Sequence, residues 1–155
     1  MKNNTFKKTE RTLYNYRNID LKIENIDLHI ERLLNDVSIA GVSYEQKFPT
    51  NAFSSSVENE VIKREEHQAE EIQKLRQMKN NTITLKKLVH NALCSLKEEE
   101  YKMVELRYLQ KEKTSWVEIG LTLSLDNTTC HRIKNKIINT LTDLIYPNES
   151  INDTF

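Results

Sequence analysis

The stretch SWVEIGLTLSLDNTTCHRIKNKI, residues 115–137, contains two short helical patterns separated by a brief turn. Ser115 followed by Glu118 has the spacing of a capping box, which predicts that a helix begins at Trp116. Residues 124–126 interrupt the apolar periodicity, and a second helix is predicted to begin directly after them. The stretch therefore predicts a helix–turn–helix unit, with Asp126 or Asn127 as the cap of its second helix.

The second helix of this unit has a polar outer face with no carboxylate in its N-terminal half. Its apolar positions recur at three- and four-residue spacing from Cys130 to Ile145, which indicates a helix packed along one side. Hydrogen-bonding side chains on the opposite side suit contacts with base edges and phosphates in the major groove of double-stranded DNA. The alternative is an ordinary solvated helix face. The residues predicted to contact DNA are Ser115, Asn127, Thr128, Thr129, His131, Arg132, Asn135 and Lys136.

Arg132 and Lys136 have different predicted roles on this face. Arg132 is the only arginine there, and its planar guanidinium matches the O6 and N7 acceptors of guanine. Lys136 lies one turn further on and is predicted to meet a phosphate, a contact that carries no sequence information.

The composition predicts an all-α protein. The 155 residues include only two glycines and two prolines, and 30% of them are charged, as is typical of helix-rich chains. The 23 basic and 23 acidic residues cancel, so the net charge provides no general affinity for nucleic acid. Any basic surface must therefore be local.

The N-terminal half predicts two long helices joined by a loop. Residues 1–12 form a basic arm, and a heptad stripe of apolar residues follows on the first long helix. Residues 38–56 are predicted as a loop. A second helix, with Ser56 as its cap, is predicted over residues 57–80. The stripe packs either against the second helix of the same chain, as a hairpin, or against another copy, as a coiled coil, and a homodimer through these helices is the predicted assembly. The stripe consists of Ile19, Ile23, Ile26, Ile30, Leu33 and Val37, with Leu13 and Tyr16 extending it backwards.

The C-terminal half changes to the periodicity of a compact helical domain. Asn80 and Asn81 interrupt the pattern, and Thr84 is predicted to cap the first helix of a four-helix domain that ends in the helix–turn–helix unit. The predicted divisions are a coiled-coil-like region over residues 1–81, a DNA-binding domain over residues 82–146 and a flexible tail over residues 147–155.

Residues 96–144 contain Glu-Leu-Arg-Tyr at 105–108, Glu-Ile-Gly at 118–120, Arg132 and Leu141, and this pattern resembles region 4 of bacterial sigma factors. That family has an acidic helix ending in Glu-Leu-Arg-Tyr, a short spacer, Glu-Ile-Gly, a turn and a basic recognition helix ending in Leu. The chain has no counterpart of sigma region 2. The resemblance implies a DNA-binding domain, and RNA polymerase is a second candidate partner.

The whole chain looks like phage-encoded transcriptional activators of the ArpU and RinA type, found in phages of low-GC Gram-positive bacteria. The likeness lies in a long charged N-terminal helix, the middle segments GVSYEQKFP (residues 41–49) and SSSVENEVIKREE (residues 54–66), and the sigma-like C-terminal domain. It implies a regulator of phage late or packaging genes. Two other functions are considered: a DNA-recognition subunit of a phage packaging machine, similar to a small terminase, and a helical adaptor that does not bind DNA.

Two departures from the sigma pattern affect what the resemblance implies. The turn position that usually holds glycine is Ser124, which must either accept a positive φ at some cost or change the turn. The recognition helix has Asn127, Thr128 and Thr129 where sigma factors carry more Arg and Glu. The DNA sequence that sigma factors read therefore does not transfer to this chain.

Other functional classes lack their sequence signals. The chain shows no Gly-rich phosphate loop, no catalytic His–carboxylate pair and no nucleophile motif, so neither an enzyme nor a cofactor is predicted. The four histidines have no metal-ligand spacing, and Cys94 and Cys130 are predicted as buried free thiols of a reducing compartment. No signal peptide or membrane span is found, which predicts a protein of the bacterial host cytoplasm without a membrane partner.

Overall fold

The computed structural model describes the backbone of residues 2–41 and 54–148, and the side chains of residues 4–36, 60 and 62–148. Every regular element within these residues is helical, which confirms the all-α prediction, and no described helix is long and apolar enough to cross a membrane. The elements are α1 (Lys2–Tyr16), α2 (Ile19–Gly41), α3 (Ser54–Cys94), α4 (Glu98–Val104), a π-helical segment (Glu105–Leu109), α5 (Trp116–Leu123) and α6 (Asn127–Ile145).

The chain divides into two compact units. One contains residues 21–83, and the other combines residues 1–20 with residues 84–155. The predicted divisions at residues 81 and 146 differ from this arrangement chiefly at the N-terminus, because α1 packs with the C-terminal helices. The predicted tail beyond residue 148 lies outside the described residues.

The apolar stripe of α2 lies against α3 of the same chain in the 21–83 unit. Ile26 and Ile30 are buried together with Ile72 of α3. Gln68 Nε2 donates a hydrogen bond to the carbonyl oxygen of Leu33 at 2.5 Å. Helices α2 and α3 of the same chain therefore pack against each other in this unit, and this pair is called the hairpin below.

Helix α3 continues through the position where the sequence predicted a break. It runs for 41 residues from Ser54 to Cys94, so Ser56 and Thr84 lie inside it and are not N-caps. Asn80 and Asn81 are exposed and helical. The Thr82 hydroxyl donates to the Met78 carbonyl oxygen at 2.8 Å, a local bond that is compatible with a continuous helix.

Helices cover both ends of the segment that was predicted as a loop, residues 38–56. Helix α2 extends to Gly41, and α3 begins at Ser54. The remainder of this prediction, residues 42–53, lies outside the described residues.

Helix α1 is a separate helix that completes the core of the second unit. The sequence placed Leu13 and Tyr16 in the α2 stripe, but α1 ends at Tyr16 and a turn follows, closed by a hydrogen bond from Asn18 N to Asn15 O at 3.1 Å. Leu13 is completely buried. The core of this unit contains Leu13, Val89, Ala92, Leu93, Met103, Val104, Tyr108, Ile119, Cys130, Ile137, Ile138, Leu141 and Ile145.

Polar contacts also join α1 to α6. The hydroxyl groups of Thr9 and Thr142 lie 2.8 Å apart, and both side chains are buried. The hydroxyl groups of Thr12 and Tyr146 lie 2.7 Å apart. The Thr9 and Thr142 hydroxyls also lie within hydrogen-bond distance of carbonyl oxygens of their own helices, Thr5 O at 3.0 Å and Ile138 O at 2.7 Å. The two hydroxyl pairs add specific contacts between α1 and α6 that favour one position of α1 along α6.

The two cysteines differ in exposure. Cys130 lies in the core, whereas Cys94 is exposed at the end of α3, so the prediction of a buried thiol is wrong at Cys94. Both thiols are free. Burial raises the pKa of the Cys130 thiol and keeps it in its neutral form.

Candidate nucleic-acid interface

Helix α5 begins with the capping box that the sequence predicted. The Ser115 hydroxyl accepts a hydrogen bond from Glu118 N at 3.2 Å, and Ser115 N donates to Glu118 Oε2 at 2.9 Å. The backbone hydrogen bond from Ser115 N, together with the Ser115 hydroxyl, holds the pKa of the Glu118 carboxyl below its usual range. Ser115 therefore fixes the first turn of α5.

The turn between α5 and α6 has a left-handed residue at Ser124, with φ 56° and ψ 41°. Leu125 N donates to Gly120 O at 2.8 Å, and Ser124 N is directed at Leu121 O at 3.4 Å. This is the Schellman pattern that ends many helices, and its left-handed position normally holds glycine. Ser124 thus accepts the positive φ, one of the two outcomes expected from the sequence.

Gly120 lies where the turn approaches α5 most closely. A Cβ atom placed on it would lie 2.8 Å from the carbonyl oxygen of Leu125 and 3.4 Å from Cys130 Sγ. The first of these neighbours is backbone and cannot move aside without displacing the turn. Only glycine therefore fits at this position without a shift of the turn.

Helix α6 is capped by Asp126. Its carboxylate accepts hydrogen bonds from Thr129 N at 2.9 Å and from the Thr129 hydroxyl at 2.6 Å. These bonds, with that from the hydroxyl the larger cause, hold the pKa of the Asp126 carboxyl below its usual range. Asn127 is the first residue of α6 rather than its cap.

The eight residues predicted to contact DNA are placed in two groups. Ser115 and Thr129 take part in the two helix caps, and the Thr129 side chain is half-buried. The other six lie exposed along the outer side of α6, so the structure brings them together on one face. These six, called the α6 face below, are Asn127, Thr128, His131, Arg132, Asn135 and Lys136.

Carboxylates from α4 lie beside one edge of the α6 face, which sequence reasoning missed. Lys136 Nζ lies 3.8 Å from Glu100 Oε1, and the Lys136 side chain is 72% exposed. Arg132 and Lys136 line an open cavity of about 600 Å³ together with Glu99 and Glu100. Because the ion pair is long and solvated, it contributes little stability and leaves the lysine able to exchange partners.

The Trp116 ring lies beside the opposite edge of the α6 face, close to one histidine and two basic side chains. The ring centroid of Trp116 is 5.7 Å from that of His131, 5.1 Å from the Arg107 guanidinium carbon and 5.5 Å from Lys134 Nζ. Arg107 also donates to the Thr114 carbonyl oxygen at 2.8 Å. These contacts hold the start of α5 against α6. The sequence singled out Arg107 only as part of the sigma-like motif.

A polar cluster beneath this edge ties α1 to the interface. Lys134 Nζ lies 2.9 Å from Glu10 Oε1, and the Tyr108 hydroxyl donates to the same oxygen at 2.6 Å. Burial and the hydrogen bond to Glu10 raise the pKa of Tyr108 well above its ordinary value, so it stays protonated. Sequence reasoning missed this cluster because Glu10 is 98 positions from Tyr108 and still further from Lys134.

The basic and acidic residues are distributed unequally between the two units. Residues 1–20 contain five basic and two acidic residues, residues 84–155 contain ten of each, and residues 21–83 contain eight basic and eleven acidic. The unit that carries the α6 face therefore has a net charge of +3, the other unit has −3, and the neutral total conceals the difference.

The comparisons with known proteins identify a family. The family described as "Protein of unknown function (DUF722)" matches residues 5–143, nearly the whole chain, and the chain belongs to it. No curated protein matches the chain, and no solved structure does.

Proposed function

We propose that this DUF722 protein is a sequence-specific regulator of transcription that binds double-stranded DNA with α6 in the major groove. The observation that carries the proposal is the α6 face, which exposes hydrogen-bonding and basic side chains and has no carboxylate of its own. Arg132 is the side chain proposed to read guanine, and Lys136 is proposed to contact a phosphate.

The frame of the α5–α6 unit supports this role. A residue that reads a base edge has to be held in place, and the caps at Ser115 and Asp126 together with the tight turn at Gly120 fix the two helices against each other. The likeness of residues 96–144 to sigma region 4 supports a transcriptional role. It also makes RNA polymerase a proposed partner and a phage or prophage late-gene promoter a proposed target.

The proposed homodimer needs contacts other than those that the α2 stripe makes in this structure. Ile26 and Ile30 are buried against Ile72 of the same chain, so a dimer would use other faces of the hairpin or exchange α3 between copies. A dimer would place two α6 helices on two half-sites of the DNA.

Footprinting on DNA from the gene's own genomic neighbourhood, combined with the particle mass in solution, tests the proposal. We expect a monomer or dimer that protects a promoter, with affinity that falls as salt is raised. A ring of eight or more subunits would favour the packaging role over regulation. Absence of any salt-dependent DNA binding would leave the helical adaptor.

A further inference from the structure

The outer side of α1 is a second carboxylate-free face in the unit that carries α6. Asn4, Lys7, Arg11 and Asn15 are all exposed and recur at three- and four-residue spacing, so they lie on one side of the helix. The single acidic residue in the sequence of α1, Glu10, is turned inward, where it meets Lys134 and Tyr108. The four exposed residues are called the α1 face below.

The positive charge of this unit comes entirely from its N-terminal segment. Residues 84–155 are neutral, and the excess of three positive charges lies in residues 1–20. Without residues 1–20 this unit would have no net positive charge, so its attraction to phosphate, the source of most non-specific DNA affinity, would depend on local basic residues such as Lys136.

Short contacts connect α1 to the start of α5. Lys113 Nζ lies 4.5 Å above the ring of Tyr14, and the Arg17 guanidinium donates to the Gln110 carbonyl oxygen at 2.8 Å. Gln110 and Lys113 are thereby fixed to the end of α1 and the turn after it. Trp116, at the start of α5, contacts the α6 face through His131. Exposed Lys113 adds to the basic surface on this route.

We infer that the α1 face is a second DNA contact, with Lys7 and Arg11 bound to phosphates flanking the base pairs that α6 reads. The inference rests on the proposed function and identifies residues that supply its electrostatic attraction to DNA. Phosphates rather than base edges are the ligand, because α6 occupies the groove and the two cations of α1 lie on a helix alongside it. Such contacts set the position of a protein on the duplex without reading its sequence.

The test is the salt dependence of DNA binding by the Lys7→Gln/Arg11→Gln double variant of the full-length chain. Neutralising two phosphate contacts should lower the slope of log K against log salt by about two on the proper site and on scrambled DNA alike. Affinity near physiological salt should fall roughly tenfold or more on both DNAs, with discrimination between them retained. Flanking backbone positions should lose protection from hydroxyl radicals.

The matched control is Lys22→Gln/Arg32→Gln, which removes one lysine and one arginine from exposed positions of α2 in the acidic unit. It should leave the slope unchanged, and an equal loss in this control would overturn the inference. An unchanged slope in the α1 variant would also overturn the inference. If the α1 variant changed the particle mass but not DNA binding, the α1 face would instead be a contact between copies of the chain. If the wild-type chain binds no DNA, the proposed function itself fails. If the wild-type chain binds DNA and the α1 variant binds it with an unchanged slope, the proposed function stands and the inference about the α1 face fails.

Discussion

The two units of this chain are built from the same kind of helix but are stabilised to different degrees. Among the described residues of the 21–83 unit, the buried apolar cluster is Ile26, Ile30 and Ile72, each with 6–9% of its surface exposed. The described part of the other unit has thirteen residues in its buried core, several of them, such as Leu13 and Ile138, completely buried. Since few buried apolar contacts mean a low cost of local opening, the hairpin should open more readily than the unit that carries the α6 face.

The largest expected effect is that of Ile26→Asp in the hairpin. An unpaired carboxylate at this position would face Ile30 and Ile72, and such a buried charge costs about 3–5 kcal/mol. We expect the amide protons of residues 21–36 to lose protection in hydrogen exchange. The matched control, Leu28→Asp, places the same charge at a position that is 57% exposed on the same helix, and should cost little. Equal protection in Ile26→Asp and wild type would show that this seam does not hold the hairpin.

Leu13→Ala should destabilise the other unit by about 2–5 kcal/mol. The side chain is completely buried in the core, and its removal leaves a cavity under α1. Denaturant unfolding followed by the fluorescence of Trp116 measures the loss in the free energy of unfolding. Leu121→Ala is the control, because Leu121 is 78% exposed and its truncation should change stability by less than about 0.5 kcal/mol. If both variants unfold alike, α1 is not part of this core.

Sequence reasoning succeeded where structure depends on near neighbours. The capping box of Ser115 and Glu118 and the close approach at Gly120 involve residues within about five positions of each other, and the chemistry of each is visible in the sequence. The six exposed members of the α6 face follow from helical periodicity alone.

It failed where distant contacts decide the outcome. Leu13 continues the heptad spacing of α2, and only its core contacts and the pairing of Thr9 with Thr142 show that α1 belongs with α6. Asn80 and Asn81 have low helix propensity, yet α3 passes through them, because propensity is a weak preference that the rest of a 41-residue helix overrides. The Glu100 carboxylate beside Lys136 likewise comes from a different helix.

The difference between the units in net charge predicts that DNA contacts lie in one unit only. Substitution of Arg132 and of Lys136 on the α6 face tests which DNA contacts this unit makes. Arg132→Ala should lose about 1–3 kcal/mol of binding free energy on the proper site and discriminate less between sites. Lys136→Ala should weaken binding to all DNA about equally and lower the salt slope by roughly one, since its weak pairing with Glu100 is exchanged for a phosphate.

Binding of both variants to the proper and scrambled sites, each at two salt concentrations, distinguishes these roles. Arg76→Ala, at an exposed position of α3 in the acidic unit, is the control and should bind like the wild type. Small and equal losses for Arg132→Ala and Lys136→Ala on both DNAs would mean that α6 reads no sequence.

The smallest expected effect is a gain in stability from Ser124→Gly, in the turn between α5 and α6. The described residues of the 21–83 unit contain no equivalent turn. Ser124 holds a left-handed conformation that costs a residue with a Cβ atom about 1–2 kcal/mol. Glycine removes this cost but gives the unfolded chain more freedom, so the net gain should be about 0.5–1 kcal/mol. Ser124→Ala keeps the Cβ atom and should give no gain, which separates backbone strain from loss of the hydroxyl. Because Ser124 lines the cavity beside Arg132 but makes no contact proposed for DNA, the glycine variant should bind DNA with unchanged affinity. A glycine variant no more stable than the alanine one would show that the Schellman turn, not the residue in it, sets the stability of the α5–α6 connection.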